Sequence, residues 1–253
     1  MLDAVSEFRN NRIAMLIDGD NAQPSLLEQM IAEAGKYGLI TIRRIYGDWT
    51  TTNMNSWKES LNIHAIQPVQ QFRYTVGKNA TDSSMIIDAM DILYEGTVNG
   101  FCLVSSDSDY TRLATRIREK GLFVMGIGKQ TTPKAFVNAC EVFVYTEILL
   151  PDADTKVPPR GSERRKKRTT KVGQPDPLPF LRNAVNIALQ EDGWAFLGTI
   201  GNHLRQSDPG FDARNYGYKQ LSQLFKAYSK EFELREESTK GGPTLIYVRS
   251  QTE

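Results

Sequence analysis

Four aspartates that lie far apart in the 253-residue sequence sit where a fold would bring them together: Asp18, Asp82, Asp107 and Asp109. Asp18 closes the apolar run RIAMLID, Asp107 follows the apolar run FCLVSS, and Asp109 stands two residues further on. Ligands of an open parallel sheet bind outside the carboxyl ends of its strands, so an acid that ends a strand faces that crevice. Asp82 is placed by helical geometry. At about 100° per residue, Met85, Ile86, Ala89, Met90, Ile92 and Leu93 cluster on one face, and Asp82 projects onto that face at the helix start. Asp88 and Asp91 fall on the opposite side, solvated or supporting.

Carboxylates gathered in one cleft repel one another and lose hydration. Hard divalent cations with oxygen ligands remove that conflict, and one or two of them activate water and stabilise the pentavalent phosphate. The chain has two histidines and two cysteines, none in the cluster, which favours Mg²⁺ or Mn²⁺ over zinc. Asn21, Asp20 and Asp88 are supporting candidates. Simpler roles stay open for single residues: a helix cap for Asp109, the helix dipole for Asp82, a turn for Asp20 and plain solvation for Lys78. The joint placement is what points to a site.

The elements that must position these acids are legible as alternating apolar runs and helical patterns. Strands are expected at 12–18, 40–46, 64–69, 101–106, 123–128 and 142–145, and helices at 25–37, 56–61, 82–94, 110–120 and 133–139. Such alternation implies right-handed βαβ crossovers and a mostly parallel sheet covered on both faces. From Leu178 the pattern changes to helices at 178–190, 197–205 and 216–230, then strands at 233–235 and 244–248 joined through Lys240, Gly241, Gly242 and Pro243. Helices followed by a hairpin make a winged helix-turn-helix. The expected class is therefore α/β for residues 1–150 and a small winged helix for 176–253.

Charge separates the two halves. Residues 1–150 carry 14 basic against 17 acidic side chains, and residues 176–253 carry 9 against 10, whereas residues 151–175 carry 8 against 3. That middle stretch holds proline, glycine and charge with almost nothing apolar, so it reads as a basic flexible linker. Its run Arg164, Arg165, Lys166, Lys167 and Arg168 attracts any polyanion through counterion release, or is simply solvated. No apolar run approaches the roughly 18 residues of a membrane span. The polar start does not resemble a signal peptide, and the two cysteines lie in apolar segments. Together these features suggest a cytoplasmic protein without membrane contact.

Three stretches resemble a known family: LIDGDN at 16–21, GKNATDSSMIIDAMD at 77–91 and LVSSDSDYTRLATRIREKG at 103–121. They are similar to the NYN domain, the LabA-like branch of the PIN-like nuclease superfamily. The resemblance implies a PIN-like fold and a Mg²⁺- or Mn²⁺-dependent ribonuclease, expected to cut within the strand. Its acids are Asp18, Asp82, Asp107 and Asp109, with Asn21 in support, and it uses no organic cofactor. Tyr110 stands where the family often has phenylalanine. The second half, with DGW at 192–194, PGFDARNYGYKQL at 209–221 and the wing, resembles a LOTUS (OST-type HTH) domain. That resemblance implies RNA binding or docking to a protein partner. Arg214, Lys219, Lys226 and Lys230 are candidate phosphate contacts there, and Arg43, Arg44 and Lys78 in the first domain. Trp194, Phe211 and Tyr218 read as core residues. Two rivals stand beside the ribonuclease. A phosphatase of the haloacid-dehalogenase type fits the IDGD stretch but lacks a basic residue between Asp91 and Asp107. A non-catalytic RNA-binding adaptor would keep the fold and lose turnover.

Overall fold

The structure, a computed structural model, describes residues 11–72, 80–150, 176–238 and 244–251. The chain divides into two compact units, the first ending at Pro151. In the first, six strands form one sheet: β1 (Arg12–Asp18), β2 (Leu39–Gly47), β3 (Gln67–Gln70), β4 (Gly100–Val104), β5 (Phe123–Gly128) and β6 (Val142–Tyr145). Their order is β3-β2-β1-β4-β5-β6, and every pairing is parallel. Among the described residues, five α-helices accompany them: α1 (Leu27–Ala34), α2 (Lys58–Ile63), α3 (Ala80–Glu95), α4 (Thr111–Glu119) and α5 (Lys134–Ala139).

β1 is apolar on both faces because both are covered. Its even residues, Ala14 and Leu16, pack with Met85 and Ala89 of α3, Leu113 and Ile117 of α4 and Phe136 of α5. Its odd residues, Ile13, Met15 and Ile17, pack with Leu27 and Met30 of α1 and Trp57 and Leu61 at α2. Two cores thus sandwich the sheet, as a parallel sheet requires. The chain runs outward from β1 through β2 to β3 and then returns to β4 on the other side of β1. The carboxyl ends of β1 and β4 therefore flank the switch point at which such sheets bind ligands. Cys102 and Cys140 are free and buried, and burial pushes the Cys140 thiol up to about 12.

Several elements differ from their expected extents. The helix expected at 25–37 begins as a 3-10 turn at Pro24–Leu26, where Gln23 supplies no side-chain cap, and its α-helical part ends at Ala34. The strand expected at 64–69 starts at Gln67, after Ala65 turns the chain with a positive φ of 50°. Ser108–Tyr110 is a 3-10 turn that precedes α4 rather than part of it.

The second unit contains α6 (Leu178–Ala188), α7 (Leu197–Ser207), α8 (Leu221–Ala227) and strands β7 (Ala195–Phe196), β8 (Phe232–Ser238) and β9 (Thr244–Ser250). The helix expected at 216–230 is cut to α8. Ala213–Tyr216 form a 3-10 turn that Gly217 ends in the left-handed region (φ 83°), and Gln220 is extended. The wing is an antiparallel sheet of order β7-β9-β8, one strand richer than the sequence suggested. The link at 239–243 lies outside the described residues. Leu181, Val185, Ile200, Leu204, Leu224, Phe225 and Val248 fill a core of their own. Among the described residues, no helix is long and apolar enough to cross a membrane.

Candidate functional site

Asp18 continues the even series of β1, so its side chain leaves the strand on the α3 side. It is fully buried. One carboxylate oxygen accepts from Asn21 Nδ2 at 2.6 Å and Ser105 Oγ at 2.9 Å, and the other from the Asp20 amide at 3.2 Å. Burial raises its pKa above the ordinary 3.8. The Asn21 and Ser105 hydrogen bonds oppose that rise, while the charges of Asp82 and Asp20 add to it.

Ser105 lies just past β4 and uses its hydroxyl twice. It donates to Asp18 and accepts from the Asp107 amide at 3.1 Å. Asp107 in turn caps the 3-10 turn, with its Oδ1 accepting from the Asp109 amide at 2.9 Å. The cap is thus Asp107 and not Asp109. Asp82, in the first turn of α3, accepts a 2.8 Å hydrogen bond from the buried hydroxyl of Tyr110. Burial chiefly raises the Asp82 pKa, against the pull of Tyr110 and with the charges of Asp107, Asp109 and Asp20 adding.

Asp82, Asp107 and Asp109 each offer a carboxylate oxygen, and these three atoms lie within 4.8 Å of one another. Of the expected quartet, three converge and Asp18 lies beside them: its oxygens are engaged by Asn21, Ser105 and Asp20, and the charges of Asp82 and Asp20 act on it. Asp20 does more than turn the chain, because its carboxylate accepts from the buried Thr81 Oγ1 at 3.1 Å and so ties the β1 loop to the start of α3. Asp88 stands away from the trio. It accepts from Tyr46 Oη at 2.6 Å and pairs with Arg44 at 2.8 Å, joining β2 to α3.

Arg44 is thereby engaged in an ion pair, and Arg43 donates to the His64 carbonyl at 2.9 Å, so both expected phosphate contacts of β2 serve the fold. Lys78 and the run Arg164–Arg168 lie outside the described residues. In the second unit, Arg214 folds back onto both carboxylate oxygens of Asp212, Lys226 pairs with Glu236 at 2.8 Å, and Lys219 is exposed. Phe211 and Tyr218 pack at the core edge. Trp194 is buried by cations, with Arg235 and Arg249 at 4.6 and 4.7 Å from its ring.

Sequence reasoning missed Ser105, Thr81 and the hydroxyl of Tyr110. The signals were faint: small hydroxyl residues next to the acids in SSDSD and ATDSS, and a tyrosine where phenylalanine is usual.

A parallel sheet with acids gathered at its switch point agrees with the comparison to family models. The NYN domain model matches residues 12–149, more than half of the chain. The chain belongs to the NYN domain family. An OST-HTH/LOTUS domain model matches residues 175–244, in the order NYN then LOTUS. The NYN unit thus has a nuclease-like, PIN-like fold, and the LOTUS unit is of a type associated with RNA binding. Among solved structures, a protein of unknown function from Vibrio parahaemolyticus is 19% identical over 53% of this chain and 92% of that one, with a TM-score of 0.45. An uncharacterized protein from Nitrosomonas europaea is 32% identical over 40% of this chain and 92% of that one, with a TM-score of 0.30. No curated protein matches the chain.

Proposed function

We propose that this NYN–LOTUS chain is a Mg²⁺- or Mn²⁺-dependent ribonuclease that cuts within RNA held also by its LOTUS unit. The observation that carries the reading is the trio of Asp82, Asp107 and Asp109, which converge within 4.8 Å at the switch point of the sheet. The donor set is all oxygen, and the burial of Asp82 beside two further acids is a cost that a divalent cation offsets. Those three residues would hold the ion, which when bound supplies an activated water and neutralises charge at the scissile phosphate. The chain's own part is positional. Tyr110 holds Asp82, the Asp109 amide holds Asp107, and Ser105 locks the Asp107 backbone to the buried Asp18. Residues 151–175, read as a basic tether, would keep RNA near the cleft between capture and cleavage.

The test uses end-labelled and circular single-stranded RNA with Mn²⁺, Mg²⁺ or EDTA, alongside Asp107→Asn. Asparagine keeps an oxygen for the Asp109 amide and so preserves the cap. A loss of at least about 100-fold in metal-dependent cleavage is expected in a folded protein. RNA that stays intact in every metal yet binds the chain would instead establish the non-catalytic adaptor. Cleavage of small phosphomonoesters with RNA left untouched would establish the phosphatase.

A further inference from the structure

A negatively charged trio does not by itself attract RNA, and the cations expected to steer it from β2 are committed elsewhere. The chemistry that a strand needs lies next to the trio instead, between α3 and α4. Both helices follow one strand and precede the next in a parallel sheet, so they run side by side with their N-termini at the carboxyl edge. Asp82 opens α3 and Asp109 lies in the turn that leads into α4, so each precedes by about one helical turn the first groove residue of its helix, Ile86 and Arg112.

The groove is open, about 600 Å³, with the partly exposed Ile86 and Met90 and the buried Leu113 as floor and Arg112, Arg116 and Glu119 along one wall. The spacing repeats with the helical turn: Asp82, Ile86 and Met90 are four residues apart on α3, and Arg112 and Arg116 four apart on α4. One helical turn beyond Met90, Tyr94 is 67% exposed; Arg116 beside its hydroxyl lowers its pKa, and Lys120 lies 5.9 Å from its ring centre.

The arginines of α4 divide by task. Arg118 donates to the Asn138 and Ala139 carbonyls and so docks α5. Arg116 pairs with Glu119 at 3.3 Å, an exposed pair that a phosphate displaces readily. Arg112 is exposed and has no ion-pair partner among the described residues. It stands in the first turn of its helix, where the dipole disfavours a cation.

We propose that this groove is a binding track for single-stranded RNA leading away from the acidic trio, with phosphates on Arg112 and Arg116 and bases on the Ile86–Met90 floor and the Tyr94 ring. It rests on the ribonuclease reading for its continuity with the cleft, while its recognition chemistry stands apart from turnover. Exposed aromatic and apolar surface beside cations is what binds unpaired nucleotides without sequence preference, and a duplex hides the bases that such a floor would stack. From Asp82 to Tyr94 the helix advances about 18 Å, a length that suits about five stacked nucleotides.

The experiment uses the full chain and short single-stranded RNA carrying 4-thiouridine, cross-linked by light in Ca²⁺ and mapped by mass spectrometry. Half-saturation and maximal rate of cleavage are measured in parallel for wild type, Arg112→Glu/Arg116→Glu and Tyr94→Ala. The substituted residues are surface side chains, and melting curves report whether each variant is folded. Cross-links at Met90 or Tyr94 are expected. Half-saturation should rise about tenfold in each variant with the maximal rate little changed, and the salt slope of the double variant should fall by about 1.4. Cross-links confined to the LOTUS unit, with half-saturation unchanged while cleavage continues, overturn the track and leave the ribonuclease standing. Intact RNA with cross-links still at Tyr94 does the reverse. Competition by polyglutamate as strong as by RNA makes the arginines a general polyanion surface and also overturns the track.

Discussion

Tyr110 is a phenylalanine with a purpose added: its ring fills the core beside Phe136, and its hydroxyl reaches Asp82. A donor to a carboxylate favours the charged form. Removing it in Tyr110→Phe leaves a largely buried oxygen short of a partner. The metal-free protein should lose about 1–2 kcal/mol by urea denaturation, and the pH midpoint of Mn²⁺ binding should move upward. An unchanged midpoint would detach Tyr110 from the site. The raised pKa values of Asp18 and Asp82 also set the sign of a stability effect. Between the ordinary carboxylate value and the raised folded values, the folded chain binds more protons than the unfolded one, so stability falls as pH rises through that window. Asp82→Asn, which still accepts from Tyr110, should therefore melt above wild type in EDTA at pH 7. That gap should close below the ordinary carboxylate value; melts across pH that show no gap at neutrality refute it.

At the scale of elements, the site depends on how closely β5 lies against β4. A Cβ at Gly128 would meet the Ser105 carbonyl at 2.5 Å and Thr132 Oγ1 at 2.8 Å. Gly128→Ala should cost about 3 kcal/mol, and by pushing Ser105 it should weaken cleavage beyond what lost stability explains. Equal activity per folded molecule would contradict this. Much of this architecture was legible in the sequence. Short apolar runs bounded by turn residues read as buried strands, and β1, β5 and β6 have the limits that their residues imply. Asp82 was legible because helical periodicity fixes a side chain's direction. The pairing of Arg44 with Asp88 was not, since it joins elements that only the assembled sheet brings together. The short α8 escaped for another reason: the apolar spacing of Leu221, Leu224, Phe225 and Tyr228 says nothing about the backbone reversal at Gly217.

At the scale of the molecule, each unit has its own core: two sheet-facing clusters in the NYN unit and one in the LOTUS unit. The units should unfold in separate calorimetric transitions. Mn²⁺ at 100 times its dissociation constant stabilises the unit that binds it by about 2.7 kcal/mol, a shift of roughly 5–10 °C. Only the NYN transition should move, and EDTA should reverse it; a shift in both transitions would show that the units melt together.

The hydrogen bond from Ser105 to Asp18 spans 87 positions of the chain. During synthesis, Asp18 emerges long before the residues that neutralise its burial and complete the trio. A nascent chain therefore carries an incomplete acidic site until β4 and the turn after it have left the ribosome and joined β1. The assembly order of a parallel sheet thus delays the completed cleft while the first half of the chain is still attached to the RNA that encodes it.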